Sequence, residues 1–392
     1  MVGAGLATLA VAALASLFMA WAIGAGSSGS TPFAPAVGAN AITVMRAGFV
    51  VGILGLAGAV LQGANVSEAV GSELVVGVTL SPMAATTALS TAAILVAVGV
   101  FAGYPIATAF TVTGAVVGAG LALGGDPAWG KYRQVAALWV ATPFVGGGIA
   151  YGTARALRDE RVAERVAVPL LAGIVGVVLA NVEFTFFDGA GEQASLVAAV
   201  VARTDLAPIL VRAGVSAVAA AVAGLALFWD LRRGAERGQR HFLLVLGGLV
   251  AFSAGGSQVG LAIGPLLPLV DPFDIPILPV LVAGGIGLLT GSWTGAPRMI
   301  KALSQDYSSL GPRRSIAALI PSFAIAQTAV FFGIPVSFNE IIVSAIVGSG
   351  CAAGNSAVSR GKMGKTVLAW VGSLALALAV SYGAFVTISA VL

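Results

Sequence analysis

Charge is what this chain has least of. Of its 392 residues, 9% are Asp, Glu, Lys or Arg and 58% are hydrophobic, whereas a soluble domain carries about 25% charged residues. So few charges cannot cover a water-facing surface, and the mean hydropathy of +1.00 agrees. Cysteine and histidine are almost missing. The single Cys351 excludes an internal disulfide and any thiolate metal cluster. The single His241 falls in a charged linker, so metal sites and His-dependent catalysis are poorly supplied. No G-x-x-x-x-G-K-[ST] occurs, which leaves a nucleotide reading without support. The ~10-residue alternating segments of a membrane β-barrel are absent as well. The first segment lacks a charged n-region and an A-x-A-like site before a soluble domain, and reads as a retained span rather than a cleaved signal. A net charge of +4 is ordinary for basic cytoplasmic loops and does not suggest nucleic acid.

What is present is a series of apolar runs long enough to cross a ~30 Å hydrocarbon layer. They fall near 2–23, 41–62, 79–102, 104–123, 135–154, 167–187, 207–229, 242–268, 275–296, 315–332, 334–354 and 366–390. The expected fold is therefore an all-α polytopic membrane protein with about twelve transmembrane or re-entrant elements, multi-pass in the cell membrane. Two charged stretches, RALRDERVAER (155–165) and DLRRGAERGQRH (230–241), divide it. The expected organisation is a first repeat over 1–154, charged linkers with two connecting helices over 155–241, and a second repeat over 242–392.

The halves resemble each other. YPIATAFTVTGAVVGAG (104–120) aligns without a gap with IPVSFNEIIVSAIVGSG (334–350), pairing Pro105 with Pro335, Gly118 with Gly348 and Gly120 with Gly350. Upstream, IGAGSSGS (23–30) and SAGGSQVG (253–260) are related at a similar spacing. Charge suggests how the copies are oriented. The loop GANVSEAVGSELV (63–75) carries Glu68 and Glu73 and no base, while its counterpart 295–315 carries Arg298, Lys301, Arg313 and Arg314 against Asp306. Equivalent loops on opposite faces mean inverted-topology repeats. Lys131 and Arg133 do not fit that scheme.

Gly-rich, Pro-interrupted segments at matching positions in two halves point to broken helices meeting near the bilayer midplane. Half-helix N-termini attract anions, hydroxyls add donors and glycines allow close approach. The candidate anion site therefore comprises Gly26, Ser27, Ser28, Ser30 and Thr31 of the first stretch with Gly256, Ser257 and Gln258 of the second. Thr108, Ser337 and Asn339 join it from the Pro-containing motifs. Close helix packing is the competing use of such small residues. Glu340, a carboxylate inside an apolar segment, is the candidate proton carrier, unless that segment is re-entrant and Glu340 reaches water. Glu183 and Asp188 read as loop-facing, and Arg203, Asp205 and Arg212 as flanking a span. No ligands for a cofactor are visible.

These motifs resemble the inorganic phosphate transporter (PiT) family. AFSAGGSQVGLAIGPL (251–266) is similar to that family's second signature, roughly AFSHGANDVANAIGPL, and AIGAGSSGST (22–31) to the first, AIGANDVANA. The two Pro-containing motifs resemble its paired G.PVSTTHAIVGAIVG. The resemblance covers nearly all of both repeats. It implies inverted repeats and secondary transport of an inorganic oxyanion coupled to a cation. Where the family's signatures hold Asn–Asp, this chain has Gly26–Ser27 and Ser257–Gln258, and the Thr–Thr–His of the later motif becomes Thr108–Ala109–Phe110 and Phe338–Asn339–Glu340. Phosphate bears protons that want an acceptor; sulfate bears none and is satisfied by neutral donors. Loss of both Asp residues, together with Glu340 in place of the His, gives the motifs the character of the family's sulfate permease branch. The expectation is a sulfate carrier coupled to protons rather than sodium, with phosphate as the alternative substrate and a passive anion channel as a second alternative. A homodimer is left open. An intramembrane hydrolase is disfavoured by the single histidine, and a purely structural scaffold needs no paired half-helices.

Overall fold

The computed structural model describes residues 2–184, 194–354 and 358–391, so Asp188 lies outside the described residues. The described residues are mostly helical. α1 (Val2–Ile23) widens into a π-turn over Gly24–Ser28 and is followed by the short α2 (Ala34–Gly38). Next come α3 (Val44–Gln62), α4 (Ala64–Ser72), β1 (Val75–Val76), α5 (Pro82–Ala102), α6 (Thr108–Ala122), β2 (Asp126–Pro127) and α7 (Trp129–Ala156). A middle section holds α8 (Glu164–Asn181), β3 (Glu183–Phe184), β4 (Ala194–Ser195), α9 (Leu196–Val201) and α10 (Pro208–Arg233). The second half consists of α11 (Ala235–Ile263), α12 (Leu267–Val270), α13 (Ile277–Thr294), α14 (Ala296–Gln305), α15 (Pro312–Phe331), α16 (Phe338–Cys351) and α17 (Arg360–Val391). Among the described residues ten helices are long and apolar enough to cross a membrane, and α6 and α16 are two shorter apolar ones. The strands form two antiparallel two-residue ladders, β1 with β2 and β3 with β4.

Six pairs of elements correspond across the halves: α1/α11, α3/α13, α4/α14, α5/α15, α6/α16 and α7/α17. Helix directions follow from the contacts. α13 runs parallel to α1, with Gly287 beside Ala20, Gly291 beside Trp21 and Gly295 beside Ala25. It runs antiparallel to α3, with Gly48 beside Ser292 and Gly285 beside Leu56 and Ala59. α3 in turn is parallel to α11, with Gly58 against Phe252 and Gly63 against Val259. α1 and its counterpart α11 therefore point in opposite directions, and the repeats are inverted.

The same local chemistry shapes both hairpin corners. At the end of α5, the N–H of Gly103 bonds to Val100 O (3.3 Å) and that of Tyr104 to Gly99 O (3.0 Å). At the end of α15, Gly333 bonds to Val330 O (3.2 Å) and Ile334 to Ala329 O (2.9 Å). Gly103 and Gly333 take the left-handed backbone (φ 71° and 57°) that such a helix stop requires, and Pro105 or Pro335 two residues on prevents the helix from resuming. GYP and GIP are thus two spellings of one instruction: stop, extend, and begin a new helix at Thr108 or Phe338.

Each re-entrant hairpin is fastened to the opposite half. Trp139 Nε1 of α7 donates to Pro335 O (2.8 Å), and Trp370 Nε1 of α17 donates to Pro105 O (2.8 Å). α6 lies along α17 and α16 along α7, at a separation only glycine allows. A Cβ on Gly118 would strike the backbone of Leu378, and one on Gly348 the backbone of Gly147.

Most of the charge gathers at one end of the bundle. There Arg313 meets Glu164 (2.7 Å), Lys362 meets Asp306, Arg158 donates to Ala352 O (2.6 Å) and Arg298 to Phe101 O (3.3 Å). By the positive-inside rule this end is cytoplasmic. Lys131, at the other end, is neutralised by Glu73 (2.6 Å) and also donates to Gly333 O (3.3 Å), which explains how a lysine is accommodated away from the basic face. The stretch 230–241 is not a linker in structure. α10 and α11 run through it with a break only at Gly234, and His241 pairs with Asp230 (2.7 Å).

Candidate functional site

At the centre of the fold the π-turn, α11 and the starts of α6 and α16 converge. A π-turn has one residue more per turn than an α-helix, which re-aims the side chains that follow. Its residues Gly24 to Ser28 are all buried. Ser27 donates to Gln258 Oε1 (3.1 Å), and Thr108, the first residue of α6, donates to the same oxygen (2.8 Å) and approaches Ser27 Oγ (3.3 Å). The Gln258 amide donates to Val336 O (2.6 Å) in the segment leading into α16. Asn339, in the first turn of α16, donates to Gly26 O (2.9 Å) and to Ile106 O (2.7 Å). Ser27, Thr108, Gln258 and Asn339 have no solvent exposure.

These four residues come two from each half. Ser27 and Gln258 stand 231 residues apart at equivalent positions, and Thr108 and Asn339 lie in the first turns of the equivalent helices α6 and α16, one position out of register with each other. The first pair bonds across the pseudo-two-fold axis. The second reaches over it, since Thr108 bonds to Gln258 of the other half and Asn339 to Gly26 and Ile106 of the other half.

The remaining expected residues divide. Ser30 and Thr31 donate to Ser27 O (3.2 and 3.0 Å) and Ser28 to Ile23 O (3.5 Å), so these hydroxyls stabilise the turn that carries Ser27. Gly256 lies at the packing contact with α3, where a Cβ would come within 2.7 Å of the Gln62 side chain. Ser257 Oγ, Ser337 Oγ, Asn339 Oδ1 and Glu340 Oε2 are buried without a hydrogen-bond partner. A partnerless buried polar atom costs roughly 1–3 kcal/mol, so a group of them beside one network marks a place that a polar ligand would complete. The first N–H groups of α6 and α16 also lack carbonyl partners, as in any helix start. No lysine or arginine is among the buried side chains described, and Glu340 is the only buried carboxylate among them. α11 itself stays helical through Ser257 and Gln258 and tightens to a 3-10 turn only at Gly264–Leu266. The clear interruptions are therefore the π-turn and the two hairpin corners.

One polar cluster escaped the sequence reading. Gln327 of α15 donates to Ser253 Oγ (2.6 Å) and to Gln62 Oε1 (3.2 Å), and Gln62 of α3 donates to Glu183 O (2.6 Å). It backs a cavity of about 390 Å3 between α8 and α15. Burial pushes the carboxyl of Glu183 above its usual range. Two glutamines inside apolar runs were the available signal, since membrane-buried amides must find partners.

The sequence model of the phosphate transporter family matches residues 23–381. The chain is 25% identical over 394 aligned residues to a candidate phosphate permease of Thermococcus kodakarensis, covering 93% of each chain. To a candidate phosphate permease of Pyrococcus furiosus it is 26% identical over 384 residues, covering 92% of each. To another, of Mycobacterium tuberculosis, it is 26% identical over 471 residues, covering 94% of this chain and 85% of that one. The solved structure of the sodium-dependent phosphate transporter shares the fold, with a TM-score of 0.82 at 22% identity over 98% of this chain and 100% of that one.

These matches overturn the assignment to a sulfate permease branch, and the preference for sulfate falls with it. The physical reason lies at the start of α16. Loss of the two signature Asp residues does not empty the site of acceptors, because Asn339 Oδ1 and Glu340 Oε2 are buried there with lone pairs unused.

Proposed function

The chain belongs to the phosphate transporter family, and on that premise we propose that it carries inorganic phosphate across the cell membrane as a secondary transporter, on the network of Ser27, Thr108, Gln258 and Asn339. One observation supports this above others: buried unused donors and acceptors occur on residues of this network or next to them in sequence. Ser257 and Ser337 have hydroxyls to offer the bare oxygens of the anion, and Asn339 Oδ1 and Glu340 Oε2 can receive its protons. Phosphate near neutral pH needs both kinds of partner. An anion without protons would leave the acceptors unpaired against its own oxygens, which is costly in a buried site. The helix starts of α6 and α16 supply partial positive charge where no fixed cation stands.

In this reading the inverted halves are 1–154 and 242–392, and the section 155–241 is a peripheral addition. The site is complete within one chain. Coupling is to protons, because Glu340 is 3% exposed and adjacent to Asn339, so that one side chain can exchange a proton next to the bound anion.

The test is uptake of labelled phosphate by proteoliposomes under imposed pH or sodium gradients. Accumulation driven by an inward proton gradient and unaffected by excess sulfate is expected. Glu340→Gln is expected to bind phosphate yet lose the pH-gradient drive. Uptake that never exceeds equilibration would replace the carrier by a channel, and accumulation driven by sodium alone would remove Glu340 from the coupling role.

A further inference from the structure

At the cytoplasmic end, away from the central site, two cavities lie side by side. The larger, of about 750 Å3, is bounded by the 37–44 segment, the start of α3 and the start of α11, and contains Arg46 and Arg240. The smaller, of about 240 Å3, runs between α3 and α13 past Trp293 and Pro297. Met45 and Phe49 line both, so the two adjoin at these side chains.

Their chemistry differs. No carboxylate lines the larger cavity. Arg240 spends only its Nε, on Ala41 O (2.9 Å), and Arg46 makes no hydrogen bond or ion pair among the described residues. Two guanidinium groups thus face one cavity with no counter-charge, while Arg313 and Lys362 at the same end are both paired. The smaller cavity is a slot without any charged residue. One wall is the stacked pair Phe49 and Trp293, with centroids 5.1 Å apart and Trp293 Nε1 bonded to Phe49 O (3.2 Å). Met45, Phe49 and Trp293 remain 68%, 54% and 43% exposed, on the outside of a bundle that lipid surrounds.

We propose that this double cavity holds one anionic phospholipid of the cytoplasmic leaflet, its phosphodiester between Arg46 and Arg240 and one acyl chain in the Phe49–Trp293 slot. Basic pockets between membrane helices on this face suit anionic headgroups, and Arg pairs with phosphate through several donors at once. A free phosphate ion would satisfy the two arginines and leave the apolar slot unused. Only a molecule with both parts fits both cavities.

The experiment measures lipid retained by the purified full-length protein after mild delipidation, by native mass spectrometry, with phosphatidylglycerol and phosphatidylcholine of identical chains. At least tenfold preferential retention of phosphatidylglycerol is expected, falling to the phosphatidylcholine level in Arg46→Gln/Arg240→Gln. Met45→Glu places a carboxylate between the two compartments at an exposed position and should cause the same loss while leaving both arginines in place. Arg155→Gln, on the same face outside the cavity, should change nothing. Equal retention of the two lipids, unchanged retention in both cavity variants, an equal loss in Arg155→Gln, or displacement of the lipid by inorganic phosphate would each overturn the proposal.

Discussion

The two halves share a scaffold and differ in chemistry. Both stop a helix with the same glycine turn and proline, and both tether their hairpin through an indole N–H at 2.8 Å. Yet the first half brings hydroxyls to the centre, Ser27 and Thr108, where the second brings amides, Gln258 and Asn339. Glu340 has no carboxylate counterpart, since Phe110 occupies the equivalent position. The first half bends through a π-turn to deliver its short side chain; the second delivers a longer one from an unbroken helix. Symmetry here sets where groups meet, and the differing side chains decide what each can exchange with an anion. Hydroxyls turn freely between donating and accepting, whereas amides hold fixed donors and acceptors.

The largest effect should come where symmetry is strictest. Gly118→Ala and Gly348→Ala each drive a Cβ into backbone that cannot yield, and a loss of about 3 kcal/mol or more is expected from such overpacking. Detergent size-exclusion profiles should collapse equally for both. A tolerated substitution in one half would show that the close approach is needed only in the other. Next, Gln258→Leu leaves the Ser27 and Thr108 hydroxyls without their shared acceptor, whereas Ser27→Ala removes one donor. At roughly 1–3 kcal/mol per orphaned buried group, labelled phosphate uptake should fall about a hundredfold in the first and about tenfold in the second. Equal losses would contradict the central place of Gln258.

A smaller difference separates Asn339→Ala from Thr108→Ala. The former strips two carbonyls, Gly26 O and Ile106 O, of their donor, and the latter mainly one bond to Gln258. Thermal denaturation should register about 2 kcal/mol against about 1 kcal/mol. Smallest of all, Trp139→Phe and Trp370→Phe each forfeit a single indole bond, about 1 kcal/mol, and the two should be indistinguishable. If either altered transport while its partner did not, the hairpins would have unequal roles in the cycle.

Much of this architecture was legible from residues alone. The runs of apolar residues predicted the spans, because a membrane helix has to be apolar along its length, and GYP and GIP at matching positions identified the duplicated corners. The pairing of Ser27 with Gln258 was implicit in their shared place at the Asp of the family's two signatures. The fate of Ser28, Ser30 and Thr31 was not, since which hydroxyl faces across the axis and which folds back onto Ser27 O depends on the pitch of one turn. Lys131 puzzled the charge rule because its partner Glu73 lies 58 residues away and only tertiary structure unites them. The sulfate inference failed for a related reason. It counted acceptors at the positions where the family's signatures place them, and Asn339 and Glu340 supply acceptors from elsewhere.

The crossed packing of α6 on α17 and of α16 on α7 also bears on how the protein is made. α6 is synthesised early, but the surface its glycines require belongs to α17, which is made much later. Until α17 is inserted, Pro105 has no indole to accept from and the first hairpin has no wall. The first half therefore waits in the membrane unfinished, and translation stopped before α17 would leave an open, partly polar structure exposed to the cell's membrane proteases. Completion of an early hairpin by so late a helix makes synthesis through α17 the checkpoint for its assembly.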